Sequence, residues 1–87
     1  MNKDIEKKYE EVFDVFAMPG WATIVAEAMV RRDTYMNAIL NTETTPESMM
    51  LFKGAIKEAE IIINAEESTK TGFDIAKDSE ETNFGVD

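Results

Sequence analysis

Met49-Met50-Leu51-Phe52-Lys53-Gly54-Ala55-Ile56-Lys57-Glu58-Ala59-Glu60-Ile61-Ile62-Ile63 is the stretch on which the fold turns. Met49, Phe52, Ile56, Ala59 and Ile63 recur at spacings of 3, 4, 3 and 4, one face of an α-helix, and Ala55 and Ile62 widen that face. Ile61-Ile62-Ile63 taken alone has the composition of a strand. No other segment of useful length alternates with period two, so a strand here has nothing to pair with, and the reading is a helix over about 46–66. Met50, Gly54 and Ile61 make a second, weaker stripe on roughly the opposite side. Gly54 in a helix interior costs roughly 1 kcal/mol relative to alanine, and something has to offset that. Two candidates stand: another chain on this face, with Gly54 permitting close approach, or the short N-terminal helix of the same chain.

Upstream of this helix, Asn41-Thr42-Glu43-Thr44-Thr45-Pro46 is a polar connector. Thr45 followed by Pro46 reads as an N-cap with proline at the first helical position, while Thr44 with Glu47 offers a rival capping box one residue earlier. Before the connector, Trp21, Ile24, Val25, Ala28, Met29, Tyr35, Met36 and Ile39 gather on one broad face of a helix over about 21–40. Arg32 falls near the middle of that face. It is either a cation for a carboxylate or phosphate, or a residue whose stem covers the seam while its head reaches Glu58 or Glu60 on the facing helix; the second is favoured. The short connector makes the two long helices an antiparallel hairpin. Met18-Pro19-Gly20-Trp21 reads as a tight turn. Ahead of it Ile5, Tyr9, Val12, Phe13 and Phe16 lie on one face of a short amphipathic helix over about 3–16.

The expected architecture is therefore all-α: an antiparallel helical hairpin, a short N-terminal amphipathic helix and an extended acidic C-terminal tail. Residues 1–67 form the helical domain and 68–87 the tail. The core is expected from Phe13, Phe16, Trp21, Val25, Ala28, Ile39, Phe52, Ile56 and Ile63. Ser68-Thr69-Lys70-Thr71-Gly72 reads as a helix break. Beyond it Phe73 and Ile75, and again Phe84 and Val86, stand two apart, the spacing of an extended segment with both side chains on one side. The tail is too polar to build a core of its own. It is expected to order in a groove or on a sheet edge of a partner, against the alternatives of a floppy end or one folded back on its own hairpin. The expected protein-interface residues are Met50, Gly54, Ile61, Phe73, Ile75, Phe84 and Val86.

Composition narrows the chemistry. The chain has 87 residues, no Cys, no His, and 18 acids against 9 bases, for a net charge of −9. Thiol nucleophiles, iron–sulfur clusters, zinc sites built on Cys or His, and His-based acid–base catalysis lack their residues. In Asp78-Ser79-Glu80-Glu81-Thr82-Asn83 the sixth position is Asn83 where a calcium loop needs glycine. No Gly-rich phosphate loop and no nucleophile with an adjacent base is present, so no enzyme, no cofactor and no metal is expected. The basic residues are scattered among acids, which disfavours direct nucleic-acid binding. No apolar run reaches the roughly 18 residues of a membrane span, and the N-terminus lacks a signal-peptide core. The expected partner is a protein, whether other components of an assembly or a second copy of the chain.

Phe16-Ala17-Met18-Pro19-Gly20-Trp21, the amphipathic helix and short polar loop after it, and Leu51-Phe52-Lys53-Gly54-Ala55-Ile56 together resemble a group of small proteins encoded among the structural genes of short-tailed bacteriophages. The resemblance covers 13–63 and rests on a Phe, a small loop and Gly-Trp opening one helix, then an aromatic-x-Gly pattern in the return helix. It implies a non-enzymatic phage gene product, virion-associated or acting in assembly, found in the virion or the host cytoplasm. It supplies no catalytic residues. The alternative expectation is a small acidic phage inhibitor that binds a host protein, with nucleic-acid mimicry through its negative surface as one route.

Overall fold

In a computed structural model the protein is all-α. The structure describes residues 1–41 and 43–86, with side chains described up to Ser79; among the described residues there is no strand. Four helices follow in order: α1 (Lys3–Phe16), α2 (Pro19–Asn41), α3 (Pro46–Ile63) and α4 (Ala65–Val86). Two compact units result, one of Met1–Met18 with Ala65–Asp87, the other Pro19–Asn64.

In the second unit α2 packs on α3. Pro19 and Gly20, expected as a turn, instead form the first turn of α2, and Gly20 has no positive φ. Proline is at home there, because the first N–H groups of a helix have no intrahelical acceptor to lose. α3 opens on Thr45, whose hydroxyl accepts the Ser48 backbone N–H at 3.1 Å, with Pro46 at the first helical position. The Thr45 register, not the Thr44 one, therefore sets this end. At the other end α3 stops earlier than expected, at Ile63, and the Asn64 N–H closes on the Glu60 carbonyl at 2.9 Å. α2 turns Trp21, Val25, Ala28, Arg32, Tyr35 and Ile39 inward; α3 turns Met49, Phe52, Ala55, Ile56, Ala59, Ile62 and Ile63. Ala28 at 0% and Ala59 at 2% exposure are the buried hydrophobic residues among those described. The larger side chains of both faces are half-buried, and the Tyr35 and Phe52 rings meet at 5.8 Å.

In the other unit α1 packs on α4. Asn2 caps α1 by accepting the Asp4 N–H on Oδ1 at 2.8 Å, and Asp4 and Glu6 in the first turn suit the positive end of the helix dipole. The extended tail is corrected here: Ser68-Thr69-Lys70-Thr71-Gly72 does not break helix, and the backbone is helical from Ala65 to Val86. The physical reason is a face overlooked because it is made of small residues. Ala65, Thr69, Gly72, Phe73 and Ala76, at spacings of 4, 3, 1 and 3, are the half-buried positions among the described side chains of α4. Phe73 supplies the apolar area on that face. Its ring lies 5.2 Å from Tyr9 at 71° and 5.6 Å from Phe13 at 79°, edge-on to both.

Candidate interaction surface

A helix that packs on one neighbour buries one stripe and leaves the rest of its surface to solvent or to a partner. In α3 the buried stripe runs through Phe52, Ala59 and Ile63, so Met50, Gly54 and Ile61 lie on the far side. Met50 is 75% exposed and Ile61 66%. Among the described residues there is open space within 4 Å of where a Cβ at Gly54 would stand, so none of them requires glycine there. The sequence reading brought these three together, and the structure places them on one open helix face. Leu51, 73% exposed, borders the buried stripe and extends the apolar surface along that edge of the helix.

The other expected interface residues separate. Phe73 is half-buried between Tyr9 and Phe13, inside its own unit. Ile75, its supposed partner two residues on, points away and is 61% exposed. In a helix two residues differ by about 200°, so the pair that an extended chain would align is split between opposite faces. Phe84 and Val86 lie outside the described side chains. Of the expected core residues Ala28 is fully buried, while Phe13, Phe16, Trp21, Val25, Ile39, Phe52, Ile56 and Ile63 are half-buried. No large side chain among the described residues is fully buried.

Arg32 is half-buried, its side chain 31% exposed. Its head does not reach Glu58 or Glu60. The Nε donates instead to Asp33 Oδ1 at 3.3 Å, on the next residue of the same helix. Among the described residues no three acidic side chains gather as a metal ion would need, and no single helix is long and apolar enough to cross a membrane.

Sequence reasoning missed the outward side of α2. Val30 there is 66% exposed, and Leu40 near the end of the helix 78%. The signal was available: Ala26 and Val30, four apart, sit opposite the Trp21–Ala28 stripe, but two residues of modest size did not register as a face. Charge is also unevenly shared. Residues 19–64 carry six acids and four bases, a net of −2, whereas 1–18 and 65–87 together carry twelve acids and five bases, a net of −7. No protein-family model matches this chain, and no curated protein or solved structure matches it.

Proposed function

We propose that this protein is a non-enzymatic structural or assembly protein that works by packing helices against other proteins. On the resemblance of its 13–63 stretch, the assembly is a bacteriophage particle. The observation that carries the reading is the large apolar residues exposed on its helices: Met50, Leu51 and Ile61 on α3, at 66–75% exposure, beside a seam in which only alanines are fully buried. Such surface is costly in water at about 25 cal/mol per Å² and is recovered when a partner covers it.

In this reading the working element is an antiparallel hairpin of α2 and α3. Two features support it. Ala28 and Ala59, the buried pair, stand equally far from the middle of the connector, and so do Tyr35 and Phe52, whose rings touch. Met50, Gly54 and Ile61 form the docking face, with Gly54 admitting a partner backbone closely. Ile75 on α4 adds a second exposed anchor on a helical, not an extended, segment. The protein needs no cofactor, nucleic acid or membrane to act this way.

Mass spectrometry of purified particles tests the proposal. Stoichiometric amounts of the chain support it; presence only in infected cells overturns it in favour of a host-directed inhibitor. One observation favours that second reading, namely the concentration of −7 in the unit of α1 and α4. A nucleic-acid mimic would bind its target with a steep salt dependence and be displaced by DNA.

A further inference from the structure

The outer face of α2 carries both signs of charge around an apolar centre, an arrangement that fits itself. Thr23, Ala26, Glu27, Val30 and Arg31 lie together on this open side of the helix. Val30, 66% exposed, is the apolar centre of this surface with Ala26, and both are short enough for another helix to approach closely. Glu27 and Arg31, one turn apart, form one edge of the face; Met29, 41% exposed, lies on the other. Thr23, Ala26, Glu27, Val30 and Arg31 are all exposed.

We propose that two copies of the chain associate through this face, with α2 antiparallel to its counterpart about a two-fold axis at the level of Met29. Two-fold symmetry in an antiparallel helix pair keeps each edge on its own side, so residues of one edge meet the same edge of the copy. With the axis midway between Glu27 and Arg31, Glu27 of each chain faces Arg31 of the other, twice over. On the opposite edge Met29 meets its own copy at the axis. Ala26 and Val30 fill the centre. A register one turn away sets Glu27 against Glu27 or Arg31 against Arg31, so the charges select this one.

The charge distribution fits a second copy as the occupant. Residues 19–64 carry a net of only −2, so two copies meeting there repel weakly, whereas the unit of α1 and α4 carries −7. An acidic partner would leave Arg31 matched and Glu27 opposed, and a basic one the reverse. Only a face of mixed sign satisfies both. This association does not rest on membership of a phage particle, and it uses the side of the second unit away from the Met50–Gly54–Ile61 stripe.

Sedimentation equilibrium of the full chain, with far-ultraviolet circular dichroism to follow helix content, tests it. The unaltered protein is expected as a dimer. Glu27→Arg and Arg31→Glu each place like charges across both symmetric contacts and should raise the dissociation constant about tenfold. The double variant Glu27→Arg/Arg31→Glu restores opposite charges and should return to within about threefold of the unaltered chain. Mixing the two single variants should form a heterodimer in preference to either homodimer. Val30→Asp, which puts two carboxylates in the centre, should give monomers of undiminished helix content, because Val30 faces away from α3. A monomeric unaltered chain overturns the proposal. So does a dimer that both single variants leave unchanged, which would move self-association to another surface, or a double variant that fails to recover.

Discussion

Gly72 sits inside α4, where glycine costs about 1 kcal/mol relative to alanine, yet its φ is not positive and no turn requires it. Among the described residues a Cβ there would meet the Tyr9 hydroxyl at 3.5 Å, an ordinary van der Waals distance. Gly72→Ala should therefore raise stability by about 0.5–1 kcal/mol, read as a higher denaturation midpoint. A loss of stability would mean that α4 lies closer to α1 than this geometry has it. The adjacent Phe73 predicts the opposite sign. Its ring is edge-on to Tyr9 and Phe13 but only half-buried. Phe73→Ala should cost about 2 kcal/mol, less than the 3–5 of a fully buried phenylalanine. Loss of the near-ultraviolet dichroism of the ring cluster should accompany it, and an unchanged unfolding midpoint would remove Phe73 from the packing.

At the scale of the element, α1, α2 and α3 were legible because large apolar residues repeat at three and four: Tyr9, Phe13 and Phe16; Trp21, Val25 and Ala28; Met49, Phe52, Ile56 and Ala59. α4 was not, because its inward face is Ala65, Thr69, Gly72 and Ala76 around a single aromatic, and Ser, Thr and Gly are weak helix formers that read locally as a break. Packing against α1 outweighs those propensities. Of the candidate surface, Met50, Gly54 and Ile61 could be seen from the sequence, since a second stripe opposite a strong one stands out. The α2 face gives a weaker signal, Ala26 and Val30 four apart opposite the buried stripe, and it stands out only once the exposure of those two residues is seen. The stripe on α3 yields its own prediction. With open space among the described residues within 4 Å of a Cβ at Gly54, Gly54→Ala should stabilise the chain alone by about 1 kcal/mol in chemical denaturation. Gly54→Leu should also leave the chain folded, but it should weaken binding to the assembly partner while leaving self-association through α2 intact. If pull-down of particle proteins by the Leu variant is undiminished, the stripe is not the docking face.

For the whole molecule the uneven charge has a consequence for stability that differs between the units. Around α1 and α4, Asp4, Glu6, Glu10, Glu11 and Asp14 belong with Glu66, Glu67, Asp74 and Asp78, and only five bases stand among twelve acids. Like charges held together by folding oppose it, and mobile ions relieve that opposition within a Debye length of about 10 Å at 0.1 M salt. The α2–α3 unit has six acids and four bases and little to relieve. It also has the more extensive helix contact, with two fully buried alanines and the Tyr35–Phe52 ring pair at its seam. Native-state hydrogen exchange should thus find the amides of α2 and α3 protected about tenfold or more above those of α1 and α4 at low salt. Raising sodium chloride to about 0.5 M should increase protection in α1 and α4 and change α2 and α3 little, because only the first pair carries a large net charge. The sign is the decisive part. If salt lowers protection in α1 and α4, attractive pairs such as those between Lys7 or Lys8 and neighbouring acids outweigh the repulsion there. The −7 would then be a charge that the fold has already balanced locally, not one held ready for a basic partner.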